Sequence, residues 1–292
     1  MNGILLVNKE KDMTSRDVVN ILSKKFDTGR VGHTGTLDPI ATGIMGIAIN
    51  DGLKIVDFLI SDSKEYIATV KIGLDTDTLD ITGNILEEVE NFSISKEEIE
   101  EALNSFLGKS IQEVPIYSAL KVNGKRLYEY ARENIKVELP KREIEVFDIE
   151  LLEFNNNEFK FKVHVSKGTY IRSLIRDIGK KINIPCVMKD LQRTKQGNFK
   201  IENSYTLEEI KNDKYKFISI KDALDGYKFI EVNSYIENKI RNGRILENRY
   251  DEEFIVFINS SDEVLAIYKV YEKDKTKIKP IKVISGVKQK YV

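Results

Sequence analysis

The sequence predicts an α+β protein followed by a smaller β module. Two long strand patterns, 142–154 and 158–166, flank Asn155, Asn156 and Asn157 and read as an antiparallel hairpin. Helical patterns occur singly between strands, unlike the regular alternation that builds a doubly wound parallel sheet. Beyond Tyr227 come short strands at 229–232, 254–258, 264–270 and 278–284, with one helix near 235–241. The expected division is a domain over 1–225 and a module over 226–292.

In chain order, 3–7 is a short buried strand. Thr14, with Asp17 three residues on, opens a helix whose apolar face is Val18, Leu22 and Phe26. Gly29 is expected to end that helix from the C′ position. Residues 44–49 read as a strand and 53–59 as a short helix. Alternation at Tyr66, Ala68, Val70 and Ile72 marks a strand over 64–73. Residues 75–80, DTDTLD, invite a calcium-loop reading. It fails, because Asp80 stands where the glycine belongs and Leu86 where the glutamate belongs, so a polar turn is expected.

Further on, Ser95 and Glu98 cap a helix with Ile99, Ala102, Leu103 and Phe106 on its face, stopped by Gly108. Residues 125–134 form a basic helix bearing Tyr128 and Tyr130. A last long helix runs from about 172 to 182 with Leu174, Ile175 and Ile178 inward, and 187–194 is a strand.

Of 292 residues 41% are apolar and 32% charged, enough for a globular chain with a sizeable core. No apolar run approaches the roughly 18 residues of a membrane-spanning helix, and the N-terminus lacks a leader pattern. The single cysteine, Cys186, has no internal disulfide partner and no surrounding metal set. A cytoplasmic address is expected. Net charge is −1, but its distribution is uneven. Residues 160–200 carry eleven Lys or Arg against Asp177 and Asp190, and 121–142 carry seven against three acids. Charge alone leaves two readings, solvated helix faces or a nucleic-acid face.

Residues 29–43 read GRVGHTGTLDPIATG. Gly29, Gly32, Gly35 and Gly43, with Asp38-Pro39, predict a tight loop using backbone angles closed to other residues. Asp38 on a rigid loop beside a strand, five residues after His33, is a candidate reactive carboxylate. An ordinary Asp-Pro turn, with Asp38 capping backbone amides, is the alternative. The glycine density exceeds what one turn needs and points to close approach of backbone to a ligand.

GHTGTLDP at 32–39 and SKGTYIRSLIRDIG at 166–179 closely resemble signatures of the bacterial tRNA pseudouridine-55 synthase (tRNA pseudouridine synthase B) family. DTDT at 75–78, YSALK at 117–121 and LQRT at 191–194 support the likeness, which runs from residue 3 to about 222. The resemblance implies a central mixed, largely antiparallel sheet flanked by helices and RNA-gripping insertions, one over about 115–142. A weaker likeness implies a PUA-like RNA-binding module at the C-terminal end. The implied reaction flips uridine 55 out of the T loop of tRNA and isomerises it to pseudouridine, with no cofactor and no metal.

The same resemblance carries residue roles. Asp38 matches the nucleophile, although the sequence leaves open whether it attacks the sugar or acts as a base. Arg172 matches the cation paired with it, and Tyr66 the tyrosine that stacks on the base. Tyr170 and Leu191 match residues lining the uridine site, and His33 the histidine contacting the nucleotide. Lys121, Lys125, Arg126, Arg132, Lys167 and Arg193 are the expected RNA contacts, while His164 is structural. Two departures stand out: Lys9-Glu10 where the family reads Lys-Pro, and Gln192 where an arginine is commoner. The expected partner is the tRNA T arm, engaged by a monomer without an obligate protein partner. Two rivals use the same residues, a tRNA-binding and folding protein with minor or lost catalysis, and a guide-RNA-dependent synthase. Retention of Asp38, Tyr66 and Arg172 argues against the first, and the 115–142 insertion against the second.

Overall fold

The computed structural model describes residues 2–59 and 63–284. β1 (Gly3–Lys9) leads to Thr14, whose reciprocal hydrogen bonds with Asp17 start α1 (Ser15–Lys25). β2 (Val31–His33), β3 (Thr42–Ile49), a 3₁₀ turn over Asn50–Ile55 and α2 (Val56–Leu59) follow. Then come β4 (Ser63–Ile72), the small hairpin of β5 (Leu74–Thr76) and β6 (Ile85–Glu88), and α3 (Lys96–Asn104), capped by Ser95 and Glu98. β7 (Gly108–Glu113) precedes the segment expected as an insertion, which holds β8 (Lys121–Val122), β9 (Lys125–Arg126) and α4 (Leu127–Arg132). β10 (Lys141–Asn155) and β11 (Glu158–Ser166) form the long hairpin, followed by α5 (Ile171–Ile182) and β12 (Cys186–Gln196). β13 (Phe199–Lys200), α6 (Leu207–Lys211) and α7 (Ile220–Ala223) complete the first unit.

Among the described residues the central sheet has nine strands, ordered β1-β3-β12-β4-β11-β10-β7, with β2 on β3 and β13 on β12. All pairings are antiparallel except β12 with β3, where Gln192 faces Thr42 and Arg193 faces Gly43. The sheet is thus mixed and largely antiparallel, as the family resemblance implies. One edge of β3 is divided: β2 takes Ile47, Ala48 and Ile49, and β12 takes Thr42 and Gly43. The signature loop leaves the sheet in the gap between them. Phe159, Phe161, Val163 and Val165 of β11 pack with Ile99 and Leu103 of α3 and Leu174, Ile175 and Ile178 of α5. Each such side chain stabilises by about 1.5–3 kcal/mol when fully buried, so α5 is anchored over its whole inner face.

The C-terminal module contains β14 (Lys228–Glu231), α8 (Ser234–Arg241), β15 (Leu246–Glu247), β16 (Phe254–Ile258), β17 (Val264–Tyr271) and β18 (Asp274–Val283). Its five-stranded sheet runs β14-β16-β17-β18-β15. Val256, Ile258, Val264 and Ile267 share a core with Ile4, Leu6, Ile44 and Ile55, so the module is fused to the first unit through apolar contact. Residues 285–292 of the expected module lie outside the described residues.

Several local expectations are corrected. Asp27, at φ 47°, takes the left-handed position after α1 instead of Gly29. Phe26, the residue that ends α1, packs on Tyr215 and Phe217. Of the four loop glycines only Gly43 has positive φ, 107°, and an added Cβ would sit 2.3 Å from the Arg193 carbonyl oxygen. At Gly32 the obstacle is the Leu53 side chain, at 2.7 Å, so packing against the protein accounts for these two glycines without a ligand. The expected basic helix shortens to Leu127–Arg132, because Lys125 and Arg126 pair back on Lys121 and Val122. Leu74–Thr76 is strand, and the turn that follows is closed by the Asp80 carboxylate, which accepts from the Thr78 and Thr82 hydroxyls.

Candidate active site

The Asp-Pro turn is real: Ala41 N–H donates to the Asp38 carbonyl at 3.1 Å. Its two flanks are pinned from β1 and α1. Ser15, buried at the first turn of α1, accepts from Leu37 N–H at 2.9 Å and donates to the Leu37 carbonyl at 3.1 Å. The fully buried Lys9 ammonium donates to the carbonyls of Pro39 (3.1 Å), Met13 (2.7 Å) and Glu10 (2.8 Å). Burial lowers its pKa to about 8, with the Asp38 and Asp12 charges opposing that fall. Asp38 is therefore held between two residues whose backbone groups are tied down.

Arg172, 6% exposed, meets Asp38 from the first turn of α5. Its Nε donates to Asp38 Oδ2 at 2.8 Å, Nη1 to the Thr78 carbonyl at 2.8 Å and Nη2 to the Tyr117 carbonyl at 2.9 Å. One guanidinium thus ties the signature loop, the 75–80 turn and the insertion together. A buried charge is tolerated when it is paired and its donors are satisfied, and here both conditions hold. Asp38 keeps 36% of its side chain exposed, and its Oδ1 accepts no hydrogen bond among the described residues. That oxygen is available to a substrate.

The pair lies in a cleft of about 900 Å³ whose walls include Tyr66, Tyr170, Leu191, Tyr117, Ser118, Tyr128 and Lys167. Tyr66 on β4 and Leu191 on β12, each 7% exposed, provide apolar walls. Burial pushes the Tyr66 hydroxyl above the usual tyrosine range, against the opposing pull of the Arg193 charge, so it is neutral at pH 7. Tyr170 caps the N-terminal end of α5, and Gln112 of β7 grips its backbone. Gln112 Oε1 accepts from Tyr170 N–H at 2.8 Å and its Nε2 donates to the Tyr170 carbonyl at 3.1 Å.

His33 does not line this cleft. It sits on β2 with Nδ1 buried and without a hydrogen-bond partner among the described residues, and burial followed by the Arg16 and Arg193 charges holds its pKa below the usual range. Arg193 is a clear correction to the expected RNA contacts. It is fully buried, its Nε donating to the Ile44 carbonyl (2.8 Å) and its Nη2 to that of Gly35 (3.1 Å), with Nη1 toward that of Thr36 (3.4 Å). Its guanidinium fills the gap on the edge of β3 and cannot reach a phosphate. Lys121, Arg126 and Arg132 are exposed on the insertion, while Lys125 pairs with Glu133. Arg126 and Arg132 both lie over the ring of Tyr128, at 5.8 and 5.3 Å. Sequence reading missed Lys9, Ser15, Asp80 and Gln112 as supports of the pair; none stands beside it in the chain.

An Asp carboxylate locked on a buried Arg, within an open cleft walled by tyrosines and leucine, is the candidate active site of an enzyme. A sequence model described as "TruB family pseudouridylate synthase (N terminal domain)" matches residues 23–171, and the chain belongs to that family. It is 44% identical to the tRNA pseudouridine synthase B of Clostridium tetani (strain Massachusetts / E88), covering 94% of this chain and 93% of the relative. It is 42% identical to the tRNA pseudouridine synthase B of Staphylococcus aureus (strain MSSA476), covering 97% and 99%. A Cbf5-Nop10-Gar1 complex contains a chain with the same fold, TM-score 0.73 at 23% identity, covering 97% of this chain and 85% of that one. An H/ACA RNP bound to a substrate RNA gives TM-score 0.72 at 22% identity, covering 97% and 84%. No helix among the described residues is long and apolar enough to cross a membrane.

Proposed function

We propose that this pseudouridine synthase isomerises uridine 55 in the T loop of tRNA, acting as a monomer in the cytoplasm on intact tRNA without guide RNA, metal or cofactor. The observation that carries the reading is the Asp38–Arg172 pair, 2.8 Å apart, with Asp38 Oδ1 open to the cleft. Arg172 fixes the direction of the carboxylate through a charge-assisted hydrogen bond. The bond between ribose C1′ and uracil N1 breaks, the base turns, and C5 bonds to C1′ while its proton is lost and N1 gains one. Atoms and charge balance within the nucleotide. Asp38 supports bond breaking at the sugar, Tyr66 stacks on the base, and Tyr170 and Leu191 bound the pocket. His33 acts from beside the cleft as a neutral ring.

Lys121, Lys125, Arg126, Arg132 and Lys167 are assigned to RNA phosphates, and the 115–142 insertion to the T arm. Residues 226–292 are assigned as a PUA-like RNA-binding module. Release of tritium from [5-³H]uridine in an unmodified tRNA transcript, with purified protein and no guide RNA, tests this reading. Stoichiometric release mapping to position 55 is expected. Release only after adding a guide RNA, or at another uridine, contradicts it.

A further inference from the structure

We propose that Arg142 is an RNA-phosphate anchor at the active-site cleft, held in place by the same turn that leads to Arg172. This rests on the reading of the protein as a T-arm enzyme. Arg142 is the second residue of the long strand β10, where it faces Gln112 of β7 across the ladder. Gln112 clasps the Tyr170 backbone, and Arg142 stacks over the Tyr170 ring with 5.5 Å from its Cζ to the centroid. Its Nη1 donates to the Gly168 carbonyl at 3.1 Å. Gly168 is at φ 84°, and a Cβ there would come within 2.6 Å of Arg142 Nη1. The backbone angle calls for glycine at this point of the KGTYIR segment, and the missing side chain leaves the guanidinium its place beside the turn.

The placement leaves the charge unspent. Among the described residues no carboxylate pairs with Arg142, and only one of its N–H groups has a partner. The side chain is half-buried and lines the same cleft as Asp38, Tyr66 and Arg172, with Lys64 and Lys167 also on its walls. A planar guanidinium, fixed by a ring and a carbonyl, offers its remaining donors as a fork, the geometry that suits a phosphate. Extruding a uridine from a folded loop requires the backbone beside it to be gripped while the base turns. Arg142 supplies that grip, the role that the buried Arg193 cannot fill. A purely structural Arg142 would hold the 168–170 turn and make no difference to which phosphate matters.

A T-arm RNA hairpin carrying single methylphosphonate linkages, placed one at a time on either side of the target uridine, tests the assignment in full-length protein. Binding is measured for wild type, Arg142→Gln and Arg142→Lys, with melting temperatures confirming folding. One neutral linkage should weaken wild-type binding about tenfold, as loss of a charge-assisted contact does, and Arg142→Gln should weaken the unmodified hairpin similarly. The two changes together should cost no more than either alone. The slope of log K against log salt should fall by about 0.7–0.9 in Arg142→Gln, and Arg142→Lys should restore the slope but not the full affinity. Additive losses at every linkage, or an unchanged salt slope, overturn the assignment. If wild type fails to bind the unmodified hairpin, the T-arm reading falls, and this inference with it.

Discussion

Arg172 donates Nε to Asp38 Oδ2 at 2.8 Å while its other two nitrogens hold the carbonyls of Thr78 and Tyr117. The carboxylate is thus aimed by three chain segments at once, and a single-headed cation cannot replace the guanidinium. Arg172→Lys keeps the charge but can satisfy at most part of this set. Its single-turnover rate at saturating tRNA should fall about 10²-fold or more, because misplacement of a reacting group by an ångström costs that much. tRNA affinity should stay within about threefold, since the residues proposed to contact phosphates lie elsewhere. A lysine variant that turns over at the wild-type rate would show that charge alone suffices.

Ser15 makes the prediction most remote from the signature string. Its hydroxyl serves both backbone groups of Leu37, the residue before Asp38. Ser15→Ala leaves a buried N–H and C=O unpaired, which costs about 1–3 kcal/mol per unsatisfied group. Urea unfolding should show that loss, and turnover should fall further than the change in folded fraction explains. Ser15→Gly, equally unable to pair, should behave alike. An alanine variant of wild-type stability would mean that water or a relaxed loop satisfies Leu37.

The contrast between Ser15 and Asp38 shows what the sequence could and could not reveal. Asp38, Tyr66, Tyr170, Arg172 and Leu191 sit in short strings whose identity is local, and the structure brings all five to one cleft. Ser15 to Leu37 and Gln112 to Tyr170 are partnerships across 22 and 58 residues, created by strand order. Periodicity cannot announce them. Arg193 is different, because its position was legible: two residues after Leu191 in a strand, it shares that residue's face. Counting it among surface cations gave weight to charge over alternation. The divided edge of β3, which needs a buried donor at that spot, emerges only when β12 is seen parallel to β3.

His33 sets a pH dependence whose sign follows from its lowered pKa. In the unfolded chain the ring takes a proton near pH 6.5, whereas in the folded protein burial and the Arg16 and Arg193 charges delay it. The unfolded state then binds more protons below about pH 6.5, so this contribution is fully present above that pH and lost as pH falls through the folded value. The slope from one such group is at most about 1.4 kcal/mol per pH unit. Urea midpoints from pH 7.5 to 5.5 should decline less steeply in His33→Gln than in wild type. Equal slopes would mean that the ring titrates in the folded protein as it does in the free chain.

On the proposed reading, Asp38 performs the chemistry while other residues hold the RNA. Asp38→Asn is nearly isosteric, retains an oxygen for Arg172 and loses the charge. The measurement is site-resolved pseudouridine formation in unmodified tRNA, with tRNA affinity determined on the same preparations of wild type and variant. Wild type should convert uridine 55, and Asp38→Asn should lose about 10³-fold or more in rate while its affinity changes by about threefold at most. Conversion by the asparagine variant near the wild-type rate, or a loss of affinity as large as the loss of rate, would contradict the account.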